Sequence, residues 1–126
     1  MPRPENPDVP RYTGLTRVTK AFMNSLAGFG SAYQSEAAFR QEIWLAAILL
    51  PAAFWVGHGT VERLLLIGSV LLVLIVELLN SSIEAVVDRI SLEWHDLSKH
   101  AKDVGSAAVL LALLNCAAVW VAIGFF

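Results

Sequence analysis

The chain has 126 residues, 56% of them hydrophobic and only 16% charged, with a mean hydropathy of +0.61, a balance that excludes an ordinary soluble domain of this length and favours a membrane. A formal net charge of -2, with no basic cluster interleaved with aromatic residues, excludes a nucleic-acid partner. Cys116 is the only cysteine and lies in an apolar run, so a disulfide framework or a cysteine-ligated zinc site within one chain is excluded and a buried, inert thiol is expected.

In chain order, residues 1–13 are polar and proline-rich, without the apolar core of a secretory signal, and are expected to form a disordered tail. Residues 14–126 form one domain. Over residues 14–33, Leu15, Val18, Phe22, Leu26, Phe29 and Tyr33 recur at steps of three and four, opposite a face of Thr16, Arg17, Lys20, Asn24 and Ser31. That pattern predicts an amphipathic helix lying at the membrane surface or docked as a cover, weakened toward its end by Gly28 and Gly30. Ser35 is the expected N-cap of the next helix, with Glu36 in its first turn, where the helix dipole favours an anion.

Three membrane spans follow, over about 35–57, 61–90 and 98–126. The first is the least clear, because its apolar run (43–57) is short and contains Pro51. Arg3, Arg11, Arg17, Lys20 and Arg40 precede that run, and Arg89, Lys99 and Lys102 lie between the apolar runs of the second and third spans (64–87 and 104–126), whereas only Arg63 follows the first loop. The excess of positive charge therefore predicts a cytoplasmic N-terminus and second loop, with the C-terminus on the far side near the aromatic belt of Trp55 and Trp120. The expected fold is all-α and polytopic.

The second span carries VELLNSSIEAVVDRI, residues 76–90. At about 100° per residue, Glu77, Asn80, Glu84 and Asp88 fall within roughly 80° of one another, in one polar stripe. Val73 and Val70 continue that face in apolar form, so the stripe ends inside the bilayer, which disfavours a proton-path or transporter subunit. An ionisable group at depth costs at least about 2.5 to 3.5 kcal/mol, while an interhelical hydrogen bond returns only about 0.6 kcal/mol, so helix gluing does not account for the carboxylates. Two roles do. Glu77, partly out of water, suits a general base, and Glu84, nearer the headgroups, suits a hard divalent cation shared with a second carboxylate and phosphate oxygens. Glu36 is the candidate second ligand, although alone it reads as an i, i+4 pair with Arg40. Across the second loop Lys102 is placed to meet a phosphate as a point charge. No Walker-type or protein-kinase glycine loop is present.

The segments GLTRVTKA, EAAFRQE, VELLNSSIEAVVDRI, EWHDLS and AKDVGSAAVL, in this order and spacing, resemble the small integral-membrane diacylglycerol kinases of bacteria. The resemblance implies a homotrimer of three-span protomers with a surface helix, with sites at protomer interfaces on the cytoplasmic side of the inner membrane. It implies phosphoryl transfer from Mg2+-ATP to the free hydroxyl of 1,2-diacylglycerol, giving phosphatidic acid for phospholipid recycling. Carried over by position, Glu77 is the base, supported by Asn80, and Glu36 and Glu84 hold the metal. Arg17, Asn24, Glu93, Trp94, His95, Lys102 and Asp103, with the two metal carboxylates, are the implied ATP contacts. Ala21, Phe22, Met23, Ser25, Leu26, Phe39, Trp55, Arg63, Ser106 and Trp120, with Glu77, are the implied lipid contacts. Asn24, Lys99 and His100 depart from the family's usual pattern. The related undecaprenol kinases share the N-x-x-I-E element but usually lack the EAAFRQE form, which favours diacylglycerol as the acceptor.

Overall fold

The computed structural model of the chain describes Pro7 and residues 11–126, so the expected disordered tail lies mostly outside the described residues. Four helices follow one another: α1 (Gly14–Ser35), α2 (Ala37–Val56), α3 (Thr60–Ile90) and α4 (Asp96–Phe125). Among the described residues there is no strand. The chain divides into two compact units, Met1–Ser31 and Ala32–Phe126.

In the first unit, α1 runs without interruption through Gly28 and Gly30, so the expected weakening does not break it. Thr19 and Ser25 donate their hydroxyls back to the carbonyls of Leu15 and Ala21, each at 2.9 Å, and the Lys20 ammonium stands 5.4 Å from the centre of the Tyr12 ring.

The second unit begins with the last turn of α1, which ends one residue before α2 begins. The N-cap of α2 is therefore Glu36, not Ser35, with extended backbone (φ -115°, ψ 108°) and no side-chain cap bond. The physical reason lies in what satisfies the junction. Glu36 N–H still donates to the Ala32 carbonyl at 2.9 Å, and Arg40 Nη1 donates to the carbonyls of Tyr33 and Gln34 at 2.8 and 2.9 Å. A guanidinium takes the orphan carbonyls at the end of α1, and the chain turns on a single residue.

Three helices, α2, α3 and α4, are long and apolar enough to cross a membrane, and the chain is a multi-pass membrane protein. Helix α3 is central, packing on α2 and on α4. Of its buried positions, Leu66, Val70, Val73 and Glu77 alternate steps of four and three, with Ser69 buried beside them, while those of α2 (Phe39, Ala46, Ala53) and α4 (Gly105, Ala112) recur every seven residues. This is the seam spacing of supercoiled helices. Its small members let backbones approach closely, which matters in lipid, where apolar side chains gain little by leaving one hydrocarbon for another. Accordingly Trp44, Ile48, Leu64, Ile75 and Leu111 remain exposed on the outer surfaces of the spans. Pro51 removes one helical hydrogen bond within α2, yet the helix continues to Val56.

The turn between α2 and α3 needs only Gly57, His58 and Gly59. Gly59 holds φ +110° and ψ 172°, a region open in practice to glycine alone, and His58 N–H donates to Glu62 Oε2 at 2.6 Å. Gly59→Ala should therefore lower stability by about 1 to 3 kcal/mol. Gly68→Ala, at an exposed mid-helix position where an added Cβ meets nothing within 4 Å, should leave it unchanged or raise it slightly. Unfolding of the two variants in mixed micelles checks both outcomes.

Candidate active site

The polar stripe of α3 is built as the sequence spacing demands, but its members go to different partners. Glu77 is buried, at 6% exposure, with Val73 and Val70 buried above it on the same face. Beside them the Ser69 hydroxyl donates to Leu66 O at 2.8 Å and lies 3.6 Å from Cys116 Sγ. The stripe is closed at its inner end.

Glu36 and Glu84 are the carboxylates that bear electrostatically on Glu77. Glu36, at the start of the first span, thus lies within electrostatic reach of Glu77 on the second. The bland reading of Glu36 does not hold, because Arg40 is engaged with the carbonyls at the end of α1, and among the described residues no ion pair joins it to Glu36. Asn80 Nδ2 donates to Glu84 Oε1 at 3.4 Å, a long bond that directs the amide at Glu84 and not at Glu77, the residue it was expected to support.

One carboxylate was missed. Glu42, on α2, interacts electrostatically with Glu77, and its Oε2 is buried with no hydrogen-bond partner. The signal in the sequence was present in its position against the apolar run that starts at Ile43, but no stripe on its own helix marks it. Four half-buried or buried carboxylates, Glu36, Glu42, Glu77 and Glu84, thus share a region in which no basic side chain forms an ion pair with any of them among the described residues.

Below them lies a cleft of about 400 Å³ between the end of α3 and the start of α4, lined by Asp88, Ser91, Glu93, Trp94, His95, Lys99, Lys102 and Asp103. Local bonds shape its rim. Glu93 N–H donates to Ser91 Oγ at 3.0 Å, Leu97 N–H donates to the Nδ1 of the N-cap His95 at 3.1 Å, and Trp94 Nε1 donates to Asp96 Oδ1 at 3.3 Å. The N-terminus of a long helix therefore opens toward the cleft, a place that favours anions. Lys102 Nζ bonds Asp88 Oδ1 at 2.8 Å and lies within electrostatic reach of Glu84, so it links the cleft to the carboxylates. Lys99 pairs with Asp103 one turn along α4.

Donor chemistry here suits Mg2+. Among the described residues no three carboxylate, imidazole or thiol groups converge to cage a metal, but Mg2+ is usually bound by one or two carboxylates, with water and phosphate oxygens completing its shell. An acidic cluster without paired cations, beside a lysine and a helix N-terminus, meets that description.

Not every expected residue gathers here. Phe39 is interior, at 1% exposure, so its ring is a packing element within the chain. Trp55, Arg63 and Trp120 lie toward the other end of the spans, Arg63 about 21 Å along α3 from Glu77 at 1.5 Å per residue. Trp55 and Trp120 line a separate cleft there with His58, and Trp120 Nε1 and Arg63 Nε are buried without partners. Ser106 is exposed on α4. Arg17, Ala21, Phe22, Met23, Asn24, Ser25 and Leu26 are exposed on α1.

Residues 23–124 match the family model described as prokaryotic diacylglycerol kinase. The chain is similar to the diacylglycerol kinase of Haemophilus influenzae, 51% identical over 92% of this chain and 98% of the relative, and to that of Pseudomonas aeruginosa, 54% identical over 88% and 90%. It is likewise similar to the diacylglycerol kinase of Escherichia coli K12, 51% identical over 86% of this chain and 88% of the relative. A three-span chain with a carboxylate cluster beside an anion-favouring cleft, matched over most of its length at this identity, belongs to the prokaryotic diacylglycerol kinase family.

Proposed function

We propose that this chain transfers the γ-phosphoryl group of ATP to the free hydroxyl of 1,2-diacylglycerol, giving phosphatidic acid, at the cytoplasmic face of the bacterial inner membrane. The observation that carries this reading is the electrostatic proximity of Glu36, Glu77 and Glu84, none ion-paired to a base among the described residues, and their connection through Lys102 to the cleft. Phosphoryl transfer asks chiefly for alignment of the reacting oxygens and neutralisation of charge on the phosphates, which a few side chains on rigid helices supply.

Each residue has a distinct task. The buried Glu77 accepts the hydroxyl proton as the lipid oxygen forms its bond to the γ-phosphorus, and the bond to the bridging oxygen breaks to release ADP. Glu36 and Glu84 would hold Mg2+, which when bound neutralises phosphate charge. Asn80 orients Glu84. Lys102, with Arg17, Asn24, Asp103 and the segment from Glu93 to His95, contacts the nucleotide. The exposed face of α1 from Ala21 to Leu26, with Ser106, attends the lipid, α1 serving as an amphipathic surface helix. Trp55, Arg63 and Trp120, by their depth, fit acyl chains or the opposite interface rather than the reacting hydroxyl. The working unit is a homotrimer with sites between protomers, the N-terminus and second loop are cytoplasmic, and the C-terminus is periplasmic.

Placing the acceptor within the leaflet suits a base at the end of a closed stripe, because the substrate need not leave the bilayer for its hydroxyl to be reached. Undecaprenol is the competing acceptor. Protein reconstituted with labelled ATP and offered the two alcohols side by side should make phosphatidic acid, and product from undecaprenol alone, or none from either, overturns the assignment. Glu77→Gln should reduce kcat by about 10²- to 10⁴-fold with the assembled protein intact, and normal turnover in that variant removes Glu77 from the role of base. Glu84→Gln should raise the Mg2+ concentration needed for half-maximal rate or abolish the rate, and an unchanged metal dependence counts against the ligand role.

A further inference from the structure

We infer that Gly105 is a positioning residue for the reaction: the notch left by its missing side chain seats the Asn80 carboxamide of α3 against α4 and so aims its amide nitrogen at Glu84. This rests on the reading of Glu84 as a metal-binding carboxylate.

The geometry is specific. Gly105 is buried, and a Cβ placed on it would stand 2.2 Å from Asn80 Oδ1 and 3.3 Å from Asn80 Cγ. The first distance is far inside van der Waals contact, so the space a methyl group would take is already filled by the carboxamide oxygen. That oxygen is buried and accepts no hydrogen bond among the described residues. A buried amide with an unsatisfied carbonyl has every reason to rotate toward a donor, and the contact with Gly105 restrains it. With Oδ1 held in the notch, Nδ2 falls on Glu84 Oε1 at 3.4 Å. A loose hydrogen bond does not fix an orientation by its own strength, whereas a steric seat on the neighbouring helix does.

The same distances separate two ways in which a side chain at position 105 acts. Asn80 Cβ lies 4.0 Å from the added Cβ, an ordinary contact, so the two backbones already leave room for one. Only the tip of the Asn80 side chain obstructs it. Gly105→Ala therefore displaces the carboxamide, and with it the partner of Glu84, while the helix crossing itself tolerates the methyl group.

A double-mutant cycle on the purified, reconstituted protein tests this, using the wild type, Gly105→Ala, Asn80→Ala and the double variant. Gly105→Ala should lower the melting temperature by several degrees in the wild-type background and by nothing further in the Asn80→Ala background. In the metal-free Gly105→Ala protein the side-chain amide resonance of Asn80 should move, and half-saturation by Mg2+ should rise several-fold. An equal loss of melting temperature in both backgrounds, or an unmoved Asn80 resonance, overturns the inference. Should Gly105→Ala fail to assemble alone, recovery of assembly in the double variant supports it, and failure of both variants at position 105 overturns it. If Glu84→Gln leaves metal dependence untouched, the metal assignment fails, while the coupling of positions 80 and 105 is decided by melting and resonance alone.

Discussion

Carboxylates inside apolar helices are the constraint on which the rest of this molecule depends. A charged group far from water is costly unless something of opposite sign receives it, and the buried Glu77 has three further acids bearing on its region and, among the described residues, no paired cation. Such a cluster raises the energy of the empty protein. A divalent cation held there, as the proposed reaction would require, would offset that cost. Lys102, bonded to Asp88 and in the field of Glu84, is a basic group that bears on this region.

Packing in the span region serves the same end. Because lipid offers no hydrophobic drive between helices, association depends on close contact of small residues, here Ala46, Ala53, Ser69, Gly105 and Ala112. Large aliphatic residues stay exposed on the outer surfaces of the spans, and the central helix α3 presents its narrow buried seam to α2 and α4. The seam and the polar stripe share a face: Leu66, Val70 and Val73 lead directly to Glu77. A helix held by that seam has little freedom to rotate its acids away from those of α2.

Most of the fold was legible in the sequence for simple reasons. Long apolar runs bounded by charge define spans, and the 3.6-residue period alone places Glu77, Asn80 and Glu84 on one face. What was not legible is what crosses between helices. Arg40 stands four residues after Glu36, the spacing of a helix-surface ion pair, yet it turns back to the carbonyls of α1 because the chain breaks at Glu36. That break also moved the N-cap from Ser35 to Glu36. Glu42 escaped notice because its relation to Glu77 is tertiary, and a stripe on one helix says nothing of an acid facing it from another. Asn80 was legible as a polar residue at depth but not as one seated on Gly105, since a glycine in an apolar helix carries no mark of what fills the space beside it. Resemblance likewise brought Trp55, Arg63 and Trp120 together with residues from which the length of α3 separates them.

The single extended residue between α1 and α2 is Glu36, clasped on one side by its own bond to Ala32 and on the other by Arg40 reaching back over the joint. Those bonds fix the backbone from which the Glu36 side chain departs, so the junction itself sets the region of space that this carboxylate can sweep.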